Sequence, residues 1–149
     1  MRVLLDTDVV LDVMLAREPF AQASAAVFDL HEKGRIVVYL CALTPSTIFY
    51  VARKVKTAEE LRKGMSRLLN SVRICPVTSS ILIKAITSPI SDYEDAVQHA
   101  GALALGLDAI VTRNLKDYQN AALPVYSPAQ LLELLNPQPP EDALSSDIH

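Results

Sequence analysis

Ile36-Val37-Val38-Tyr39-Leu40-Cys41 is apolar throughout and rich in β-branched residues. A strand with one wet face alternates polar and apolar side chains. An unbroken apolar run instead suits a strand buried on both faces of a parallel sheet. The flanking segments agree. Upstream, Ala21 to Lys33 has helical patterning and stops at Gly34. Downstream, Thr44-Pro45 sets a cap before a proline at the first helical position and opens a helix to about Val55.

Further out, Arg2 to Leu5 reads as the first strand, ending at Asp6. Val72 to Val77 is the third, and Pro76 either ends it early or confines it to an edge. Leu107 to Thr112 and Pro124 to Tyr126 are the fourth and fifth. Helices fill the intervals. Val9 to Leu15 is short, with Asp8 as its expected cap. Thr57-Ala58-Glu59-Glu60 is a capping box for a helix to about Asn70, and Ser79 or Ser80 caps one to about Ile86. Ser91-Asp92-Tyr93-Glu94 is a second capping box, for a helix running to Leu105 and stopped by Gly106. Ser127-Pro128 caps the last helix, to about Leu135. Strands alternating with helices predict a three-layer α/β/α sandwich around a central parallel sheet of about five strands.

The 149 residues fit one domain, 1–136, and the proline-rich, then acidic stretch 137–149 reads as a flexible tail. With 50% hydrophobic and 21% charged residues, the bulk of the chain is not disordered. No apolar run is long enough to span a bilayer, and no basic, apolar and small-residue sequence opens the chain, so a cytoplasmic location is expected. Cys41 and Cys75 read as buried thiols, and no Cys/His spacing suggests zinc. The net charge of −3 argues against coating nucleic acid through bulk charge, although local basic residues would still permit a nucleic-acid enzyme. Arg53, Lys54, Lys56, Arg62, Lys63 and Arg67 form a basic middle section that reads as a solvated helix face.

Three acidic blocks remain. In parallel α/β folds, ligands bind beyond the carboxyl ends of the strands, where strand order reverses. Asp6 stands at such an end, although a turn or cap role is the ordinary alternative for aspartate. Asp8 and Asp12 are explained by a cap and by an exposed helix position. Asp92, Glu94 and Asp95 put three acids within four residues, more than capping requires. Asp92, Asp95 and His99 share a helix face; His99 reads as a hydrogen-bonded packing residue, and Ala96, Ala100 and Gly101 imply close packing on the sheet. In the third block Thr112 ends a strand, and Arg113, Asn114 and Asp117 follow in a loop. Asn114 or Asp117 would complete an oxygen-rich cluster with Asp6 and Asp95. Gathered carboxylates repel unless they share protons or hold a cation, and oxygen donors without thiols suit Mg2+ or Mn2+. Arg113 or Lys116 would then meet a phosphate.

These blocks together resemble the PIN domain, the metal-dependent ribonuclease fold of VapC-like toxins, over residues 2 to about 135. Asp6-Thr7-Asp8 after an apolar strand resembles the family's Asp-Thr-Asn. Asp92-Tyr93-Glu94-Asp95-Ala96-Val97-Gln98 resembles its central acidic helix start. Thr112-Arg113-Asn114-Leu115-Lys116-Asp117-Tyr118 resembles its Thr-Arg-Asn…Asp-Phe signature, and Leu123-Pro124-Val125-Tyr126-Ser127-Pro128 the closing strand and helix of one subgroup. The resemblance implies Mg2+- or Mn2+-dependent hydrolysis of RNA phosphodiesters by a toxin of a toxin–antitoxin pair. Asp6, Asp95 and Asp117 would be catalytic metal ligands, with Glu94 as a further one. Thr112, Asn114, Arg113 and Thr47 would orient ligands or substrate. RNA, a small antitoxin and a second copy of the chain are the implied partners.

One departure stands out. Many PIN nucleases carry a glutamate on the helix after the second strand, and here Thr44-Pro45-Ser46-Thr47-Ile48-Phe49-Tyr50 has no acid; Thr47 takes that place. This leaves open a PIN-like domain that binds RNA or protein without efficient cutting. Asp6-Thr7-Asp8-Val9-Val10 also looks like the first motif of haloacid-dehalogenase-type phosphatases, but no lysine followed by paired aspartates closes the chain.

Overall fold

The computed structural model describes residues 1–136; the expected tail, 137–149, lies outside the described residues. Strands β1 (Arg2–Leu5), β2 (Val37–Cys41), β3 (Arg73–Cys75), β4 (Ala109–Val111) and β5 (Val125–Tyr126) form one sheet in the order β3-β2-β1-β4-β5. Every pairing is parallel, with Leu5 beside both Leu40 and Val111. Helices α1 (Thr7–Met14), α2 (Ala21–Glu32), α3 (Thr44–Ala52), α4 (Ala58–Ser71), α5 (Ser79–Ile86), α6 (Tyr93–Leu105) and α7 (Pro128–Leu135) cover it.

The period of two along each strand divides the core. Val3, Leu5, Val38, Leu40, Ala109 and Val111 join the cluster shared with α1, α2, α3, α4 and α7. Leu4, Tyr39, Cys41, Cys75 and Ile110 face the other way, against α5 and α6. Both faces are therefore dry, which is why the strands carry unbroken apolar runs. Each buried Val or Leu contributes about 1.5–3 kcal/mol relative to exposure. Cys41 and Cys75 are paired in register and are buried free thiols. A Cβ at Gly101 would stand 3.1 Å from Cys75 Sγ, so α6 sits on the sheet as closely as its small residues require.

The Thr57–Glu60 and Ser127–Gln130 capping boxes form as expected. Gly34 and Gly106 end α2 and α6 at φ +73° and +69°, a region that an L side chain rarely enters. Several helix starts differ from expectation. Helix α1 begins at Thr7, with Asp6 rather than Asp8 at the N-cap position, yet the Asp6 carboxylate caps nothing. Thr44 is the first residue of α3 rather than its cap, and that helix ends at Ala52. Thr78, not Ser79 or Ser80, caps α5. Asp92, not Ser91, caps α6 by accepting from the Asp95 N–H at 3.0 Å, which frees Glu94 from a capping box. At α5 and α6 the capping oxygen lies one residue from the expected one, and the backbone trajectory decides which reaches the orphan amides.

Asp12 is the larger correction. It is fully buried, not exposed, because it faces Arg17 and Arg113 rather than solvent. The basic residues of α4 and of the connection before it are mostly solvated; Arg53 lies 4.0 Å over the Tyr50 ring. Among the described residues, no helix is long and apolar enough to cross a membrane.

Candidate functional site

Strand β1 lies between β2 and β4, so the chain switches direction across the sheet at its carboxyl end. That is where an open parallel sheet leaves a crevice. Asp6 stands there, its N–H donating to the Val111 carbonyl at 2.9 Å. Its carboxylate is buried and accepts from Thr112 Oγ1 at 2.8 Å and Gln98 Nε2 at 3.1 Å. Burial pushes the Asp6 carboxyl up to about 6, against the opposing pull of those two donors.

The first turn of α6 brings in the second block. Half-buried Asp95 accepts from Tyr118 Oη at 3.2 Å. Burial, then repulsion from Asp6 and Asp92, push it up to about 7. Tyr118 is itself buried, and its phenol is driven strongly upward by burial and these carboxylates, so it remains a donor. Glu94 accepts from Thr7 Oγ1 at 3.2 Å, and the Thr7 and Thr44 hydroxyls are hydrogen-bonded at 3.0 Å.

These elements enclose a cleft of about 240 Å³ lined by Asp6, Asp8, Asp92, Glu94, Asp95 and Asp117, with Thr7, Thr47, Leu11 and Val51 completing it. Among the described residues, no basic side chain lines it. A 3-10 turn, Leu115–Tyr118, places Asp117 on its wall and anchors Tyr118 beneath. The donors are all oxygens, the set that a hard divalent cation prefers. Among the described residues, no three carboxylates, imidazoles or thiolates converge into a ready-made cage.

The expected residues divide into groups. Asp6, Asp95, Asp117, Glu94 and Thr47 meet at the cleft. Thr112 reaches it through Asp6. Asn114 turns its side-chain nitrogen to Asp8, leaving the wall position to Asp117. Arg113 does not face the cleft and is not placed to meet a phosphate there: its Nε lies 3.1 Å from Asp12, and its guanidinium stacks 4.2 Å from the Phe20 ring. Lys116 is also absent from the lining. His99 is a packing residue whose Nε2 accepts from the Ala122 N–H at 2.9 Å. Helix α3 contributes Thr47 and no carboxylate, so the acid missing from the sequence is not replaced from that helix.

Four contributors had no assigned role at the site from the sequence, where Thr44 was read only as a helix cap: Gln98, Tyr118, Thr7 and Thr44. Gln98 lies three residues after Asp95, on a helix whose other buried residues are small or apolar apart from His99, and a buried amide there requires a polar partner. Tyr118 sits inside the third block. The Thr7–Thr44 contact joins the first residues of α1 and α3 and leaves no local trace.

A family model described as PIN domain matches residues 2–116. Solved structures share the fold. VapBC-1 of nontypeable Haemophilus influenzae is 17% identical over 87% of this chain and 99% of its own, with a TM-score of 0.63. VapBC2 of Rickettsia felis, bound to a DNA fragment from its promoter, is 14% identical over 84% and 97%, with a TM-score of 0.62. VapC20 of Mycobacterium tuberculosis, a sarcin–ricin loop cleaving toxin, is 16% identical over 72% and 86%, with a TM-score of 0.57. No curated protein sequence matches the chain significantly.

Proposed function

Because the chain belongs to the PIN domain family, we propose that it is a divalent-cation-dependent endoribonuclease, acting as the toxin of a toxin–antitoxin pair. One observation carries the reading: Asp6 and Asp95, from different elements, face one crevice at the strand-order switch, and among the described residues no basic side chain lines it. Burial first, and then neighbouring carboxylates, push both carboxyls upward. The family favours this account over the phosphatase alternative.

On this reading, Asp6, Asp95 and Asp117 hold Mg2+ or Mn2+, and Glu94 adds a carboxylate where α3 offers only Thr47. A divalent ion held there would supply Lewis acidity toward a phosphoryl oxygen and a water. Thr112 and Gln98 fix the Asp6 carboxylate, and the Tyr118 hydroxyl fixes Asp95. Asn114 fixes Asp8 at the rim. RNA is the substrate class, a small antitoxin is the inhibitory partner, a second copy completes a homodimer, and the cytoplasm is the compartment. The toxin–antitoxin structures with the same fold support the antitoxin.

The test is cleavage of single-stranded and structured RNA by purified protein with Mn2+, beside Asp6→Asn and Asp95→Asn. Mn2+-dependent cleavage lost in both variants supports the assignment; cleavage surviving both sinks it. A second reading rests on the carboxylate missing from α3: a PIN domain that binds RNA or protein without cutting. RNA binding without cleavage in Mn2+ would select it.

A further inference from the structure

Three consecutive residues leaving β4 each engage a different aspartate of the first acidic block. Thr112 Oγ1 donates to Asp6 at 2.8 Å, Arg113 Nε faces Asp12 Oδ2 at 3.1 Å, and Asn114 Nδ2 donates to Asp8. Thr112 and Asn114 are also tied together, the Asn114 N–H donating to Thr112 Oγ1 at 3.1 Å. The Asp117 N–H donates to the Asn114 carbonyl at 3.1 Å, so the wall of the cleft hangs from the same three residues. The chain bends at Arg113, just past the end of β4 at Val111. With Arg113 drawn inward, Thr112 and Asn114 are turned to the aspartates of the cleft.

Asp12 is what draws it. A fully buried carboxylate needs cationic partners, and Asp12 has two, Arg17 Nε at 2.9 Å and Arg113. The Phe20 ring under the Arg113 guanidinium holds its plane, a fit that a lysine cannot copy. Neither Asp12 nor Arg113 lines the acidic cleft.

The geometry assigns Arg113 as a positioning residue of the cation centre: its ion pair with Asp12 sets the register in which Thr112 reaches Asp6, Asn114 reaches Asp8 and Asp117 reaches the cleft. This rests on the proposed cation-dependent function. Arg17 provides an internal control, since it neutralises the same carboxylate from the loop between α1 and α2.

The experiment compares Arg113→Met with Arg17→Met in the full chain, by amide hydrogen exchange without metal and by Mn2+ calorimetry. Both variants lose stability in urea. Only Arg113→Met loses exchange protection at Asn114 and Asp117, and only it binds Mn2+ about ten-fold more weakly or worse, as for other residues that orient metal ligands. Arg113→Lys recovers part of the protection at most, and it carries the same comparison if the methionine variant fails to fold. Equal exchange at Asn114 and Asp117 in the Arg113 and Arg17 variants overturns the assignment. A wild-type protein that binds no Mn2+ removes the cation centre instead, and the exchange comparison still decides the positioning.

Discussion

Replacing Asp6 by asparagine should make the metal-free protein more stable while abolishing its response to divalent cations. The Asp6 carboxyl is displaced from 3.8 to about 6, first because it is buried. A raised carboxyl binds its proton more tightly in the folded state. Below about pH 4 both states are protonated and nothing is lost. As pH rises the unfolded chain ionises first, and folding stability falls until the folded carboxyl has ionised too, above about 6. At about 1.4 kcal/mol per pH unit, the displacement amounts to about 3 kcal/mol of destabilisation at pH 8. Asparagine keeps the shape. It can accept from Thr112, and once the Gln98 amide turns over, its nitrogen can donate to Gln98 Oε1, a buried oxygen without a partner among the described residues. The expected gain is therefore roughly 1–3 kcal/mol at pH 8, shrinking toward zero at pH 4, with an imperfect new hydrogen bond setting the lower end. Urea unfolding in EDTA at pH 4, 6 and 8 measures it. Added Mn2+ should then stabilise the wild type and leave the variant unchanged. A variant no more stable than wild type at pH 8, or a gain independent of pH, refutes the argument that Asp6 is held ionised against its burial.

Tyr118→Phe removes the donor to Asp95, so the Asp95 carboxyl should move above about 7 and Mn2+ binding should require a higher pH; calorimetry across pH 6–9 reads the displacement. Gly101→Leu forces a side chain onto Cys75 Sγ, and thermal unfolding should show a loss of about 1–3 kcal/mol, the usual range for overpacking. Thr47→Glu supplies an acid from α3 and should tighten Mn2+ binding while lowering metal-free stability, since it adds a further carboxylate to an uncompensated cleft.

The fold was legible because its signals are local. An unbroken apolar run such as Val37–Cys41 requires two dry faces, and capping boxes such as Thr57–Glu60 are complete within four residues. The positions of Asp6, Glu94, Asp95 and Asp117 at one cleft followed from the edge rule and from the motifs. Two kinds of fact were hidden. Cap choice between adjacent oxygens, as at Ser91 and Asp92, turns on backbone direction rather than composition. Contacts between distant segments leave no periodicity: Asp12 looked like an exposed helix position because its partner Arg113 lies at the end of another strand. The same contact removes Arg113 from the phosphate role and makes it part of the scaffold.

The most direct test is to locate manganese by anomalous diffraction in crystals soaked with Mn2+ near pH 8. The account predicts a peak in the cleft coordinated by Asp6 and Asp95, with Asp117 or Glu94 joining directly or through water. A well-ordered cleft without a peak, or manganese bound only elsewhere on the chain, contradicts it.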